Sequence, residues 1–407
     1  MAHGSTKTLK VGSVLLLIFF LFSAFVLLPS PVRAQTVTAT INVGSGPWGV
    51  AITPNGAYAY VSNNGNVGLG RNSSRISASR VSVINTATNT VAANITVGSS
   101  PVGVAITPDG AYAYITSQST GTVTVVNTST YAVTANVTVG AGPSTVAITP
   151  NGAYAYVTNI GTSNPGTTVS VISTATNKVT ATVIVGYDPS GVAVSPNGDY
   201  VYVTNFNSDT VSVISTATNT VIATIPVGSQ PYGVAVTPNS AYVYVTNTNQ
   251  HGSGGTVSVI STATNKVTTM VPVGSFPFGV AISPDGVYTY VANGGSNSVS
   301  VISTATNAVI ANVTVGTSPN FVAVTPNGAY VYVTNANEGS GGGTVSVIST
   351  ASATSPTPTA TGQAFVFAAD DWVIVFIVII VVSVLIALVW HRSHRKPTVT
   401  AQDSHAK

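Results

Sequence analysis

The chain has no cysteine, and only 5% of its 407 residues are charged. Without a thiol there is no disulfide framework, no cysteine-based zinc site and no thiol nucleophile. So little charge also excludes the surface ion-pair networks of hyperthermophile proteins. Between Gln35 and Ser349 the only histidine is His251 and the only glutamate Glu338. No nucleophile–base–orienter set can be assembled from that inventory, so the residues predict no enzyme, no catalytic residues, no cofactor and no metal. Asn205, Asn207 and Asp209 alternate as in a calcium loop but lack its closing glutamate.

Charge of either sign is sparse in the same stretch. Arg71, Arg75, Arg80, Lys178 and Lys266 nearly cancel Asp109, Asp188, Asp199, Asp209, Asp285 and Glu338, so the formal +3 belongs to the chain ends. There is no basic face to release counterions, and nucleic acid is excluded as a partner. A helical period is missing too.

What fills the chain instead is a repeat. A Val-Gly pair opens each copy, at Val43, Val97, Val139, Val185, Val227, Val273 and Val315, in steps of 42, 46 or 54 residues. Each copy holds short β-rich runs punctuated by turns such as Pro196-Asn197-Gly198 and Thr216–Asn219, where proline presets φ and Asn or Gly takes the left-handed position. Strand-rich units at this period predict a propeller, all-β and seven-bladed.

Tyr156–Asn159, Tyr202–Asn205, Tyr244–Asn247 and Tyr332–Asn335 all read YVTN, with variants at Tyr60–Asn63, Tyr114–Ser117 and Tyr290–Asn293. On these motifs the chain resembles the YVTN-repeat β-propeller family of archaeal surface-layer and other cell-surface proteins, over roughly residues 36–350. The resemblance implies a fold and a cell-surface location but no particular chemistry.

We name the strands of a blade a to d from the channel outwards. Thr36–Val43 matches strand d of other copies, which the last copy lacks, so the N-terminal segment is expected to close the ring. Proline in d (Pro226, Pro272) places that strand at the rim. N-x-Ser/Thr sequons make Asn72, Asn94, Asn127, Asn136 and Asn312 glycosylation candidates. The tyrosines paired two apart on strand b read either as a stacking surface or, since they recur in every copy, as packing between blades.

The a–b and c–d turns share one face, the bottom, and are near-identical between copies. The b–c loops and d–a links share the top face and vary, as binding loops do. After the link proline stand Trp48, Tyr232 and Phe278, with Phe321 and Phe276 beside them. This aromatic arc either stacks a ligand or plugs the gaps between blades. The longest b–c loop, 63–80, carries Arg71, Arg75 and Arg80, which would face an anionic partner.

The ends give location. Residues 1–34 read as a signal peptide or uncleaved anchor, 35–350 as the propeller and 351–371 as a Ser/Thr/Pro stalk. An apolar span at 372–390 precedes a basic cytoplasmic tail at 391–407. The expected protein is therefore a single-pass cell-membrane propeller facing outwards, a structural, adhesive or protein- or glycan-binding element of the envelope. The alternative is a surface enzyme of the propeller lactonase or quinoprotein type, or a solute receptor, using the channel mouth.

Overall fold

A computed structural model describes residues 35–65, 79–249, 254–336 and 342–350. The expectations for 1–34, Arg71, Asn72, Arg75, His251, Glu338 and everything after 350 fall outside those residues. Among the described residues no helix is long and apolar enough to cross a membrane, and the span expected at 372–390 is not among them.

The described chain folds into seven antiparallel sheets of four strands each. Six sheets use consecutive strands. In the seventh, Thr36–Val43 lies against Gly343–Ser349, with Thr36 opposite Ser349 and Val43 opposite Gly343. Ring closure by the N-terminal strand is therefore as the repeat alignment predicts. Seven apolar clusters, rather than one core, fill the spaces between neighbouring blades. One of them joins Tyr156, Val169 and Val171 of blade 3 to Val192, Val201, Val203 and Ile214 of blade 4.

Each letter of YVTN has a separate job. The motif tyrosine is buried. In blades 1, 2, 3, 5 and 7 its hydroxyl reaches the c–d turn of the next blade, whereas that of Tyr290 in blade 6 accepts from Gln35. Tyr114, Tyr156 and Tyr244 donate to Asn177, Asn219 and Asn307 at 2.6–2.7 Å, and Tyr332 donates to Asn89 of blade 1 at 2.8 Å. Those asparagines hold φ near +50°, which their short polar side chains tolerate. Blade 2 has Tyr131 at that position, so Tyr60 donates to the Thr128 carbonyl instead. The tyrosine two residues earlier stays part-exposed, so packing between blades, not a stacking surface, explains the buried member of each pair.

The valine fills the cluster between blades. The threonine does two things at once. Thr204 Oγ1 accepts from Gly191 N–H at 2.7 Å and donates to the Tyr232 carbonyl of the next blade at 2.7 Å. Strand a begins at the link proline, Pro189–Val194, earlier than its apolar run suggests, with a register shift between Pro189 and Val192. The threonine hydroxyl replaces the ladder bond missing at that shift. Blade 6 has Ala292 here and lacks the link.

The asparagine ties strand b to strand c: Asn205 Nδ2 donates to Thr210 and Ser212 at 3.0 and 2.9 Å. Its side chain also lies against the glycine of the Val-Gly pair. A Cβ at Gly140 would come within 2.5 Å of Asn159 Cγ, and one at Gly228 within 2.6 Å of Asn247 Cγ. Val-Gly recurs because only glycine leaves room for that asparagine.

Candidate functional site

The inner strands bring the variable residues of the top face to the channel axis. None of the seven, from Pro47–Ile52 of blade 1 to Pro319–Val324 of blade 7, carries a charged residue. Each link proline fixes the direction in which the next side chain leaves. That puts Trp48, Tyr232 and Phe278 at one level, with Phe321 one residue further along its strand.

Four rings close into a cluster at the mouth. Trp48 lies 6.3 Å from Phe278 and 6.5 Å from Phe321, centroid to centroid. Tyr232 lies 5.3 Å from Phe278 and 6.2 Å from Phe321, both edge-to-face. These separations are those of rings in contact. The arc drawn from sequence thus becomes a closed group contributed by blades 1, 5, 6 and 7. Beneath it, strand-a residues including Gly49, Gly103, Thr145, Gly191 and Gly233 line a cavity of about 100 Å³.

Two polar groups lie within the rings. The Tyr232 hydroxyl has its pKa pushed up to about 12 by desolvation, opposed by the Trp48 indole N–H and the Ser144 hydroxyl beside it. Tyr232 therefore reaches across the axis from blade 5 towards blades 1 and 3. Trp48 Nε1 is buried and makes no hydrogen bond of ordinary geometry; the Tyr232 hydroxyl is the polar group beside it.

The remaining expected residues distribute as follows. Phe276 is not among the ring contacts. It sits just before Pro277 with φ of 51°, and its ring lies against Gly295, where a Cβ would approach within 2.5 Å. Arg80 is exposed at the start of strand c in blade 1, away from the inner strands. Asn94, Asn136 and Asn312 are exposed on strand d, their Oδ1 atoms accepting from Ser82, Thr124 and Ser300. Asn127 caps its own turn through the amides of Ser129 and Thr130.

Asp209 accepts from Gln230 N–H at 2.7 Å, a cap for the next link. Asp109 accepts from Thr107 and from the Ala111 amide, which holds its carboxyl below the usual range and makes it a turn residue. Among the described residues no group of three or more His, Asp or Glu side chains could hold a metal.

Phe206 was not foreseen. It is the first residue of the blade 4 b–c loop, and its ring lies 6.2 Å from Tyr232, edge-on. The available signal was an aromatic directly following a YVTN motif, which occurs nowhere else in the chain. Next to it, Asn207 Nδ2 donates to the buried Asp188.

No curated protein sequence matches the chain. Among solved structures, a chain described as hydrazine synthase from Kuenenia stuttgartiensis superposes with a TM-score of 0.66 at 23% identity, covering 76% of this chain and 96% of that one. At that identity the likeness is one of fold. The family model that matches is described as the cytochrome D1 heme domain, over residues 115–359.

That match, and not the YVTN surface-layer family, is what the comparison returns. It overturns two expectations: that the propeller is a structural or adhesive envelope element, and that it is not an enzyme. The second rested on the chain's acids, bases and ligands, an inventory blind to chemistry that a bound group supplies; the first rested on the YVTN motifs and the chain ends. The matched segment runs from strand b of blade 2 through blade 7 and exceeds half the chain, so this chain belongs to the cytochrome D1 heme domain family.

Proposed function

We propose that this propeller is an enzyme-type domain whose working surface is the channel mouth on the top face, where it holds a flat, redox-active organic ligand against Trp48, Tyr232, Phe278 and Phe321. A cytochrome domain, by its name, works through a bound redox group, and membership of that family supports redox chemistry here. The observation that carries the site is the convergence of four rings from four blades on one uncharged mouth. Apolar, concave surfaces with few polar groups are the usual form of small-molecule sites, and stacked rings favour a flat, conjugated guest.

The chain's own residues would supply binding, orientation and exclusion of water. Phe278 is buried and touches both Tyr232 and Trp48, as Phe321 does. Trp48 is the only tryptophan before residue 372, which makes it a local reporter.

The test is a fluorescence titration of the full-length chain with hemin, a flavin and a neutral quinone. At least one should quench saturably, and Trp48→Phe should abolish that component. If no ligand quenches in a Trp48-dependent way, the mouth is not the working site.

The ends support a location. An apolar span at 372–390 followed by a basic tail favours membrane anchorage with the propeller outside. Protease added to intact cells should then degrade the propeller and spare the tail; a protected propeller would overturn this placement.

A further inference from the structure

Strand d is the outermost strand of every sheet, so its outer N–H and C=O groups face no partner strand. Such an edge invites pairing with another chain. In blades 4 and 5 the strand carries Pro226 and Pro272, which cannot donate to an added strand. In blades 1, 2 and 6 it carries no proline but an Asn-x-Thr triplet, at Asn94–Thr96, Asn136–Thr138 and Asn312–Thr314. Blades 3 and 7 have neither.

The three triplets share one register. Asn94, Asn136 and Asn312 stand opposite Ser82, Thr124 and Ser300 of strand c. Each accepts at Oδ1 from that hydroxyl, at 2.9, 3.0 and 2.7 Å. The amide carries its acceptor and its donors on opposite sides, so tying Oδ1 to strand c turns Nδ2 away from it. Strand alternation then brings the threonine to the same side as the asparagine. Both are exposed in every triplet, while Ile95, Val137 and Val313 between them are buried.

At Asn136 there is room for a first sugar. With Asn136, the side chains of Thr96, Thr120, Thr122, Thr124 and Val133 border an open groove of about 400 Å³ between the rims of blades 1 and 2. That size is within the roughly 300–1,000 Å³ of small-molecule sites, and threonine hydroxyls suit the hydroxyls of a pyranose. Asn127, in the remaining described sequon, is placed differently. Its Oδ1 takes the amides of Ser129 and Thr130, and Thr128 Oγ1 donates to the Gly110 carbonyl, so the triplet is tied into its own turn.

Resting on the placement of the propeller outside the cell, we propose that Asn94, Asn136 and Asn312 are N-glycosylated and that their glycans cover the open edges of blades 1, 2 and 6. The donor is an oligosaccharide joined through a diphosphate to a polyprenyl lipid, and an oligosaccharyl transferase carries out the step. Nδ2 bonds to the anomeric carbon, the bond from that carbon to the diphosphate oxygen breaks, and the lipid diphosphate leaves with the electron pair. One Nδ2 proton passes to a base of the transferase, and nothing is oxidised or reduced. Oδ1 keeps its strand c hydroxyl throughout.

The test uses the full-length protein purified from the membranes of cells that make it. It is digested with a broad-specificity protease and mapped by electron-transfer dissociation, which leaves a glycan on its residue. Peptides holding Asn94, Asn136 and Asn312 should carry saccharide mass, and the one holding Asn127 should not. Thr138→Ala, at an exposed position, should remove the mass at Asn136 alone, and Thr138→Ser should retain it. The triple variant Asn94→Gln, Asn136→Gln, Asn312→Gln should sediment as larger species than the wild type. Bare asparagines at all three positions would overturn the proposal. Protease added to the same cells then separates two causes: a degraded propeller leaves its placement outside intact, and a protected one removes that placement as well. Saccharide at Asn127 with the rim sites bare would show that the rim geometry selects nothing. Unchanged sedimentation of the triple variant would overturn the covering of the edges.

Discussion

Thr204 of blade 4 donates its hydroxyl to the Tyr232 carbonyl of blade 5 at 2.7 Å, so the motif that builds one blade also sets the backbone of the aromatic residue at the channel mouth. The same bond recurs from Thr116 to Ser144, from Thr246 to Phe278 and from Thr334 to Trp48. Three of the four rings at the mouth are thus carried on backbone held by the preceding blade. A rigid repeat supports the residues that vary.

Removing that hydroxyl should be costly. Thr204→Val leaves the Gly191 N–H and the Tyr232 carbonyl unmet in a buried place and should destabilise by about 1–3 kcal/mol. Thr204→Ser, which keeps the hydroxyl, should cost less. Blade 6 supplies the reverse experiment: Ala292→Thr should add the missing link and stabilise by about 0.5–1.5 kcal/mol. Urea denaturation reads both, and a neutral Thr204→Val would remove the hydroxyl from this role.

The c–d turn asparagine combines a backbone and a side-chain function that substitution can separate. Asn219 has φ of 54° and accepts from Tyr156 at 2.6 Å. Asn219→Gly keeps the backbone and loses the bond, a loss of about 1 kcal/mol. Asn219→Ala should lose about 1–2 kcal/mol more, because its Cβ disfavours the left-handed conformation. Equal losses for the two would show that φ is not the constraint.

Alkaline pH should unfold the ring cooperatively. Burial pushes Tyr114, Tyr156, Tyr202, Tyr244 and Tyr332 up to about 12, from the ordinary phenol value of 10.0. The folded state holds these protons more tightly than the unfolded chain. Their contribution is therefore complete below pH 10 and is lost as pH rises from 10 towards 12. Absorbance at alkaline pH should show the buried set titrating together with loss of β-sheet signal. Independent titration of the buried set near 10 would contradict the packing described.

The closing strand should be separable from the rest of the ring. Without Thr36–Val43, the edge of Gly343–Ser349 is left unpaired and Ile41 no longer fills its place between blades 7 and 1. Deletion of 36–43 should lower the melting temperature and promote association through the free edge. A peptide of that sequence, added back, should restore the monomer by strand addition. A deletion variant that stays monomeric and equally stable would show that closure is dispensable.

Much of the fold could be read directly. Proline, asparagine and glycine at fixed offsets mark the turns, and the Val-Gly pair counts the blades. The missing strand d of the last copy identified Thr36–Val43 as its replacement. The site was only half legible. Trp48, Tyr232, Phe278 and Phe321 were identified by their place after the link proline. Phe276 was grouped with them, because sequence does not show that the residue before that proline takes a positive φ and points its ring at Gly295. Phe206 was missed because its partner, Tyr232, lies in another blade.

By itself, the sequence determined the number of blades, the order of strands within them and the partner of the first strand. Turn chemistry and strand alternation act over a few residues, and a repeat states them seven times. Only the tertiary structure decided which variable side chains meet. The contacts among Trp48, Tyr232, Phe278 and Phe321 cross the axis between blades far apart in the chain, where no spacing rule applies. It also decided that the indole N–H of Trp48 is buried beside the Tyr232 hydroxyl of another blade, because burial depends on all the surrounding blades together.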